Sequence, residues 1–467
     1  MIRSLMGRGE IAVIGLGRSG RAVAELIARN GGRAYVSDAA AGDGVRAAAG
    51  ELAGKGIAVD VGHHDLERIA RAVAIVASPG VPPTAPPLLV AAQVGIPILS
   101  EVEAALAFLP STTRYIAVTG TNGKTTVTAL IHHLLTALGA RAVAAGNIGT
   151  PVSELAMQGT PPEWIALEMS SFQLHDTPSI APVVGVLTNL APDHLDRYAS
   201  LDEYYSDKMR LFANAAARAH WVTNADDPEV QRRVRGILGT HHRFTVEART
   251  DRSVTGEHPS CEAVADLARG EVTMFGATFM RRADIPLLGD HNVANVLAAV
   301  LAVAMADPAH RTPEARARMA AAVATFGGMP HRLQVVGEVD GVQWINDSKA
   351  TNVSSTRVAV AGMTRPAIVL LGGRHKGEPY STLIPLLQRH ARLVIAYGEA
   401  ADRIAADLNG HVPLERLGSS FEEVISRARA VAQPGDAVLL SPACSSFDMF
   451  SNYEARGATF QRLAVDA

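Results

Sequence analysis

Short apolar runs alternate with longer, alanine-rich segments along most of this 467-residue chain. Residues 10–15 form the first apolar run, residues 21–29 the first alanine-rich segment and residues 34–38 the second run. A later run at 116–118 is followed by apolar side chains at the spacing of one helix face: Val127, Leu130, Ile131 and Leu134. Strands that alternate with helices in this way predict an α/β protein with parallel sheets.

A glycine-rich turn, residues 120–126 (G-T-N-G-K-T-T), lies between the run at 116–118 and the helix that follows it. Its two glycines allow backbone N–H groups to curve around an anion, and the helix N-terminus adds partial positive charge. In this arrangement Lys124 would neutralise a terminal phosphate, and the Thr125 hydroxyl would hold Mg²⁺. Val118 stands where the common pattern has its first glycine, so the motif is a shortened variant. The turn predicts a nucleoside triphosphate site.

A second glycine-rich turn, residues 15–20 (G-L-G-R-S-G), follows the first predicted strand and opens a helix. Asp38 ends the next predicted strand, and alone this pattern predicts a dinucleotide with Asp38 on a ribose. The same turn also accepts any other diphosphate. The apolar run at 73–77 ends in the loop 78–80 (S-P-G), at a strand's carboxyl end, where ligands of α/β proteins bind. This region therefore predicts a nucleotide-type ligand.

Charged side chains follow two further predicted strands near the phosphate-binding turn. Glu168 ends a buried strand one sheet position away, where a second Mg²⁺ ligand is expected. Asp193 and His194 (D-H-L-D) follow a third strand, which favours metal or phosphate chemistry there. Lys208 lies near the middle of a predicted helix and, on its own, would be a solvated surface lysine.

Polar loops also follow the predicted strands of the last third of the chain. They are residues 346–352 (N-D-S-K-A-T-N), 372–377 (G-G-R-H-K-G) and 441–447 (S-P-A-C-S-S-F). Loops rich in Lys, Arg, Ser and Gly at strand ends are suited to anion capture by a doubly wound sheet. Residues 289–295 (G-D-H-N-V-A-N) start a long alanine-rich helix, and their polar side chains could face a ligand.

Composition narrows the class of protein. The length indicates about three domains, which we place at residues 1–102, 103–328 and 329–467. The chain is 48% hydrophobic and 19% charged, which is typical of a globular protein. Its formal net charge of -3 provides no positive field, so we do not expect nucleic acid as a partner. Two cysteines, no leader-like start and no apolar run of about 18 residues predict a cytoplasmic protein without membrane insertion.

Eight short motifs occur in a fixed order along the chain: G-T-N-G-K-T-T, E-M-S-S-F-Q-L, N-L-x-x-D-H-L-D-R, Y-x-x-K-M-R-L-F, H-N-x-x-N, M-P-H-R-L, N-D-S-K-A-T-N and S-P-A-C-S-S-F-D-M-F. With them the chain resembles the Mur ligases, from Gly15 to Gly457. The resemblance implies an N-terminal Rossmann-like domain for a UDP-sugar and a central P-loop-type ATPase domain with a mostly parallel sheet. It also implies a C-terminal Rossmann-like domain that binds an amino acid and completes the ATP site.

The activity implied by the resemblance is ATP-dependent amide formation by a monomer, in cytoplasmic peptidoglycan precursor synthesis. The γ-phosphoryl group of ATP would move to the carboxylate of UDP-N-acetylmuramoyl-L-alanine, and the amine of D-glutamate would attack the acyl phosphate. Two Mg²⁺ ions and protein cations would hold these anions together. A paralogue that adds L-glutamate to the same nucleotide sugar is the alternative, because the candidate loops fit the carboxylates of either enantiomer.

The resemblance also implies roles for single residues. The implied catalytic residues are Lys124, Glu168, Asp193, His194 and Lys208. The implied metal ligands are Thr125 and Glu168 for one ion and His194 for the second, together with Lys208 as a carbamate formed with CO₂. Carbamate formation requires a neutral amine, so we expect a lowered pKa for Lys208.

Three binding sets complete the implied site. The ATP-binding set is Gly120, Thr121, Asn122, Gly123, Lys124, Thr125, Thr126, Asn292, Asn295, Arg332 and Asp347. The UDP-sugar-binding set is Gly15, Leu16, Gly17, Arg18, Ser19, Asp38, Ser78, Pro79, Gly80 and Asn147. The amino-acid-binding set is Lys349, Thr351, Lys376, Ser446, Phe447 and Tyr453. Ala39 and Ala40 stand where some relatives have polar or basic residues, so we expect uridine recognition to depend more on main-chain donors.

Two other classes compete with a ligase. An NAD-dependent dehydrogenase would use the turn at 15–20 but leaves the phosphate-binding turn, Glu168 and Lys208 without a role. A nucleotide-dependent switch would bind ATP without needing a third domain lined with anion-capturing loops. Failure to bind NAD(H) would dismiss the first, and phosphate release that depends on an amino acid would dismiss the second.

Overall fold

The structure is a computed structural model that describes residues 2–193, 198–247 and 261–465. The chain forms two compact units: Met1–Asp284 with Ala294–Ala324, and Ile285–Val293 with Thr325–Ala467. The described residues contain three sheets of five, nine and six strands, flanked by helices. The predicted α/β class is therefore confirmed, whereas the predicted domain boundaries stay predictions.

The first sheet is entirely parallel, with the order β3-β2-β1-β4-β5. Its central strand has fully buried side chains on both faces, which is why it appears in the sequence as a continuous apolar run. The strands are β1 (Glu10–Ile14), β2 (Arg33–Asp38), β3 (Ala58–Val61), β4 (Ala74–Ala77) and β5 (Ile98–Ser100). The helices are α1 (Ile2–Met6), α2 (Arg18–Arg29), α3 (Asp43–Ala53), α4 (Leu66–Ile69), α5 (Pro86–Val94) and α6 (Glu101–Leu106).

The second sheet has the order β14-β13-β12-β11-β10-β9-β6-β8-β7 and is parallel except at β12–β13 and β13–β14. The strands are β6 (Arg114–Thr119), β7 (Ala142–Gly146), β8 (Trp164–Glu168), β9 (Val184–Leu187), β10 (His220–Asn224), β11 (Thr240–Glu247), β12 (Ala263–Asp266), β13 (Glu271–Met274) and β14 (Ala277–Arg281). The helices are α7 (Lys124–Ala137), α8 (Val152–Ala156), α9 (Ser171–His175), α10 (Leu201–Met209), α11 (Pro228–Arg233), α12 (Asp290–Ala306) and α13 (Pro313–Thr325).

The third sheet has the order β15-β16-β20-β17-β18-β19, and β15 is its antiparallel edge strand. The strands are β15 (Gln334–Val339), β16 (Val342–Asn346), β17 (Ala367–Gly372), β18 (Ala391–Tyr397), β19 (Leu414–Arg416) and β20 (Ala437–Leu440). The helices are α14 (Val353–Ala361), α15 (Ile384–His390), α16 (Ala401–Leu408), α17 (Phe421–Val431) and α18 (Tyr453–Val465). Short 3₁₀ helices occur at Arg210–Phe212, Arg282–Asp284, Pro308–Arg311 and Tyr380–Leu383.

Helix α6 connects the first sheet to the second through two buried carboxylates. The Glu101 carboxylate accepts a hydrogen bond from the Ser153 backbone N–H at 2.6 Å, and burial raises its pKa. The Glu103 carboxylate accepts hydrogen bonds from the backbone N–H and the hydroxyl of Ser179, at 3.0 and 2.6 Å. Both glutamates are about 2–3% exposed, so these contacts are internal to the first unit.

The parallel strands bring the polar loops of the sequence together at common sheet edges. The turns after β1 and β4 are neighbours in the first sheet, and those after β6, β8 and β9 are neighbours in the second. In the third sheet, the loops after β17 and β20 are neighbours. Within the described residues, no helix is both long and apolar enough to cross a membrane.

Candidate active site

The phosphate-binding turn has a backbone that requires glycine at two positions. Gly120 follows β6 with φ of 143°, and Gly123 precedes α7 with φ of 82°. A Cβ atom at Gly120 would lie 2.0 Å from Oγ1 of Thr188, and one at Gly123 would lie 2.3 Å from Oδ1 of Asn295. Both glycines are therefore fixed by conformation and by close neighbours, as a turn that wraps an anion requires.

The segment after β9 holds this turn in place. Oγ1 of Thr188 donates to the Asn122 carbonyl at 2.6 Å, and the Asn122 N–H donates to Oδ1 of Asn189 at 2.9 Å. Oγ1 of Thr121 donates to the Ala191 carbonyl at 3.0 Å and accepts from the Ala191 N–H at 3.0 Å. The residues that follow the neighbouring strand β9 therefore fix the shape of the turn.

Two lysine amines meet at the same end of the phosphate-binding turn. Nζ of Lys124 donates to the carbonyls of Gly120 and Thr121, at 2.9 and 2.7 Å. Nζ of Lys208 donates to the Gly120 carbonyl at 2.8 Å and lies 4.4 Å from the centre of the Tyr204 ring. Lys208 is 1% exposed, and burial, with the nearby Lys124 charge as a second cause, lowers its pKa to about 6. Its amine is thus neutral at pH 7, in contrast to a surface lysine.

Glu168 presents a buried carboxylate oxygen without a hydrogen-bond partner among the described residues. Oε1 accepts from Nδ2 of Asn147 at 2.8 Å, whereas Oε2 is buried and unpartnered. The residue is 1% exposed, ends β8 and stands in register with Val118 of β6. A buried carboxylate oxygen is costly unless it is compensated, and Mg²⁺ prefers such oxygens. The geometry fits a cation beside the phosphate-binding turn, where Thr125 is also buried.

The predicted metal set extends beyond the described residues. Asp193 is exposed at the end of the segment that holds the phosphate-binding turn, and its charge acts to raise the pKa of Lys208. His194 lies outside the described residues. Across 2–193, 198–247 and 261–465, no group of three or more His, Cys, Asp or Glu side chains is arranged to hold a metal ion. A magnesium site built from Glu168, a threonine hydroxyl and phosphate oxygens does not need such a group.

In the first sheet, Asp38 stabilises the glycine-rich turn instead of projecting freely towards a ligand. Its two carboxylate oxygens accept from the backbone N–H groups of Leu16 and Ala40, at 2.7 and 2.8 Å. The Ser78 hydroxyl donates to the Gly15 carbonyl at 3.2 Å, which links the turn to the loop after β4. The structure therefore brings the predicted residues of turn 15–19 and loop 78–80 together.

Arg18 connects this turn to the loop after β7. Its guanidinium forms a two-point ion pair with Glu154, at 2.9 and 2.8 Å, and donates to the Gly149 carbonyl at 3.3 Å. Asn147, in the same loop, contacts Glu168. The loop after β7 thus contacts the turn 15–20 through Arg18 and the Glu168 carboxylate through Asn147.

A cavity of about 500 Å³ lies between the loop after β4 and helices α9 and α10. Its lining includes Ser78 and Pro79 and, on the helices, residues that the sequence analysis did not select. Nδ1 of His175 contacts Oδ1 of Asp207 at 2.8 Å, and this hydrogen bond raises the histidine pKa. Arg210 donates to the same oxygen at 3.0 Å. A lone histidine at the end of a five-residue helix has no sequence pattern that would have revealed this cluster.

In the second unit, Asp347, which was predicted to bind ATP, is held by hydrogen bonds after β16. Its carboxylate accepts from the Ser441 hydroxyl at 2.8 Å and from the Leu333 N–H at 3.1 Å, and burial raises its pKa to about 7. Arg332, next to Leu333 in sequence, is exposed. Asn292 also belongs to this unit and donates to the Leu288 carbonyl at 2.7 Å, whereas Asn295 belongs to the first unit.

Four of the predicted amino-acid-binding residues form two contacting pairs. Nζ of Lys376 donates to Oγ1 of Thr351 at 3.3 Å, and Nζ of Lys349 lies 5.2 Å from the centre of the Tyr453 ring. The other two differ in exposure, because Ser446 is buried and Phe447 is 62% exposed. The pairs bring together cationic and hydroxyl groups from the loops 346–352 and 372–377 and from the start of α18, all in the second unit.

Comparison with known proteins defines the class. Three family models match the chain: the Mur ligase MurD-like N-terminal domain at residues 9–100, the Mur ligase middle domain at 118–303, and the Mur ligase glutamate ligase domain at 331–444. The chain therefore belongs to the Mur ligase family, and the family prediction is confirmed.

Relatives with a more specific name match over almost the whole chain. The UDP-N-acetylmuramoylalanine–D-glutamate ligase of Geobacter metallireducens is 38% identical, over 98% of this chain and 97% of its own length. The protein of the same name from Acidobacterium capsulatum is also 38% identical, over 98% of this chain and 96% of its own length.

Solved structures confirm the fold. UDP-N-acetylmuramate-alanine ligase MurC of Thermotoga maritima matches with a TM-score of 0.59 at 19% identity, over 98% of this chain and all of its own. MurF ligase of Thermotoga maritima, solved in complex with ADP, matches with a TM-score of 0.60 at 16% identity, over 93% of this chain and 96% of its own. The predicted three-domain α/β architecture is that of these ligases.

Proposed function

We propose that the protein is an ATP-dependent ligase that joins D-glutamate to UDP-N-acetylmuramoyl-L-alanine through an acyl phosphate, in peptidoglycan precursor synthesis. The observation that carries the proposal is the joint position of the phosphate-binding turn, the neutral Lys208 and the unpartnered oxygen of Glu168. The names of the full-length relatives support the choice of acceptor and amino acid. We place the reaction in the cytoplasm and assign it to a monomer.

The phosphate-binding turn would hold the ATP phosphates. Its backbone N–H groups and the start of α7 would bind phosphate oxygens, and the Lys124 amine would leave its carbonyl partners to contact the γ-phosphate. Thr125 and Glu168 would hold one Mg²⁺, which when bound offsets the negative charge of the transferring phosphoryl group. His194 would hold a second ion, with Asp193 beside it. Amide formation from two anions needs these positive charges more than it needs a protein nucleophile.

Lys208 would act as a carbamate. Its neutral amine nitrogen can form a bond to the carbon of CO₂ and release one proton, which leaves an anionic group with two oxygens. Such a group is an oxygen donor suited to Mg²⁺, whereas an ammonium group would repel the ion. The low pKa of Lys208 supports this assignment, because the amine is available without strong base.

The substrates would bind at the remaining sets of residues. The UDP-sugar diphosphate would lie on the turn 15–19 and the loop 78–80, with Asn147 directing the muramoyl group towards Glu168. The D-glutamate carboxylates would be held by Lys349, Thr351, Lys376, Ser446, Phe447 and Tyr453. Asn292, Asn295, Arg332 and Asp347 would complete the ATP site.

Phosphate release tests the proposal directly. The protein is mixed with ATP, Mg²⁺ and UDP-N-acetylmuramoyl-L-alanine, and release is compared with D-glutamate, with L-glutamate and with neither. We expect release that depends on D-glutamate. Release with L-glutamate but not with D-glutamate would assign the protein to the paralogous reaction. If neither amino acid increases phosphate release, the ligase assignment is overturned.

The carbamate has a separate test. Lys208→Ala should abolish turnover, and a short-chain carboxylic acid should restore part of it, because its carboxylate can supply oxygen ligands in the vacated space. Lys55→Ala is the matched control, since Lys55 is exposed on the first sheet and pairs only with Glu25 among the described contacts. Wild-type activity in Lys208→Ala without added acid would contradict the carbamate.

A further inference from the structure

A chain of three hydrogen-bonded side chains in the second unit has no role in the function proposed above. The Tyr380 hydroxyl lies 2.9 Å from Nδ1 of His375 and 2.9 Å from Sγ of Cys444. Tyr380 and Cys444 are fully buried, and His375 is half-buried. The Tyr380 backbone N–H is also fixed, because it donates to Oδ2 of Asp407 at 3.0 Å.

The ends of this chain belong to the two loops that follow neighbouring strands. His375 lies in the loop after β17, directly before Lys376, and Cys444 lies in the loop after β20, two residues before Ser446. The loops are joined by backbone hydrogen bonds, from the N–H of Arg374 to the carbonyl of Ser445 at 2.9 Å, in reverse at 3.1 Å, and from the N–H of Gly372 to the carbonyl of Pro442 at 3.0 Å. The Tyr380 hydroxyl adds a buried connection through side chains, beyond these backbone bonds.

The thiol and the phenol of this chain act as neutral hydrogen-bonding partners. Burial raises the pKa of the Cys444 thiol to about 11, so the sulfur stays protonated and is not a nucleophile at neutral pH. Burial likewise raises the pKa of the Tyr380 hydroxyl above its ordinary value. Since the Tyr380 hydroxyl has one proton, it donates to one of its two neighbours, His375 and Cys444, and accepts from the other. Only a side chain that can both donate and accept a hydrogen bond fits between them.

We propose that Tyr380 is a positioning residue for the amino-acid substrate. By joining His375 to Cys444, its hydroxyl fixes the relative positions of the nearby residues Lys376 and Ser446, both of which are assigned to the amino acid carboxylates. This inference rests on the proposed function, because it names a residue that sets the affinity of the same site for its acidic amino acid. Loss of the hydroxyl leaves the imidazole and the thiol without their shared partner, so that the backbone bonds near Arg374 still hold the two loops together while the side chains beyond them gain freedom.

The test is the Tyr380→Phe variant, which removes one oxygen and keeps the buried ring. We expect the KM for D-glutamate to rise about five- to tenfold, with unchanged KM values for ATP and the nucleotide sugar and an unchanged kcat at saturating D-glutamate. Tyr35→Phe is the matched control: Tyr35 is fully buried in the first sheet, and its hydroxyl donates to Asp60 at 2.7 Å. It should leave the KM for D-glutamate as in the wild type.

Two substitutions at Cys444 provide a second, independent measurement. Cys444→Ser keeps a donor and acceptor beside Tyr380 and should keep the KM for D-glutamate near that of the wild type. Cys444→Ala should raise it, and combining Cys444→Ala with Tyr380→Phe should add little, because both changes break the same connection.

The outcomes separate this inference from the proposed function. If the wild type releases phosphate with D-glutamate and the Tyr380→Phe variant has an unchanged KM for D-glutamate, the positioning role alone is overturned. Equal changes in all KM values would also overturn it, since they would indicate a general loss of structure. Wild-type protein without D-glutamate-dependent release would overturn the proposed function before the variant is measured.

Discussion

Replacing Lys208 with methionine should stabilise the protein while it abolishes turnover. The lysine is 1% exposed, and its amine donates a hydrogen bond to the Gly120 carbonyl at 2.8 Å. Its pKa is lowered from 10.5 to about 6, so between these values the unfolded chain holds a proton that the folded chain does not. The free energy of unfolding of the wild type therefore rises with pH across this range, and the cost of burying the lysine is greatest at and below pH 6.

The size of the effect follows from the same two pKa values. At about 1.4 kcal/mol per pH unit, keeping the amine buried costs about 6 kcal/mol at pH 6 and about 3 kcal/mol at pH 8. Methionine has a similar volume and no charge, and it loses one hydrogen bond worth about 1 kcal/mol. We therefore expect Lys208→Met to raise the free energy of unfolding by about 5 kcal/mol at pH 6 and about 2 kcal/mol at pH 8.

The measurement is urea unfolding in CO₂-free buffer at both pH values, followed by the fluorescence of Trp164 and Trp221 in the first unit. A Trp344→Phe background removes the signal of the second unit. Lys55→Met, at an exposed lysine, is the control and should change stability by less than about 0.5 kcal/mol at either pH. A Lys208→Met protein that is less stable than the wild type at both pH values would refute a buried, neutral lysine.

Two further substitutions test the glycine-rich turns. Gly120→Ala, whose Cβ would meet Thr188 at 2.0 Å, should lower ATP affinity at least about 100-fold by calorimetry, whereas Gly418→Ala, with open space around it, should not. Unchanged affinity would show that the turn does not shape the ATP site. In Asp38 each carboxylate oxygen accepts from one backbone N–H, and Asp38→Asn replaces one of these oxygens with an amide group. This change should raise the KM for the nucleotide sugar about tenfold, with the KM for D-glutamate unchanged. An unaltered nucleotide-sugar KM would restrict Asp38 to a local role.

The sequence predicted those features that depend on residues close to one another along the chain. The strand, turn and helix around Lys124 follow from an apolar run, two glycines and a helical pattern, and the structure has β6 end at Thr119 and α7 begin at Lys124. The position of Glu168 at the end of a buried strand was predictable for the same reason. Its unpartnered oxygen was not, because that depends on the orientation of Asn147, which lies in the loop after a different strand, β7.

Contacts between distant segments account for most of what the sequence did not reveal. Asp38 matched a ribose-binding pattern, yet its oxygens accept from Leu16 and Ala40, and only the turn geometry shows this. Strands β12–β14 lie in a region where the apolar pattern gave no motif, since short strands at a sheet edge bury few side chains. Tyr380 had no recognisable motif, because its two partners are five and sixty-four positions away.

Helix α6 limits where this chain can be joined to a relative in a domain exchange. The boundary at residue 102, chosen from sequence, falls between the two carboxylates of Glu101 and Glu103, whose partners Ser153 and Ser179 belong to the second sheet's portion of the chain. A chimera joined at that point would take one buried carboxylate from each parent. A junction before Glu101 keeps both glutamates with their partners. If the first sheet binds the nucleotide sugar, as proposed above, a new specificity could then be imported by replacing that sheet alone, with helix α6 inherited from the parent that supplies the second sheet.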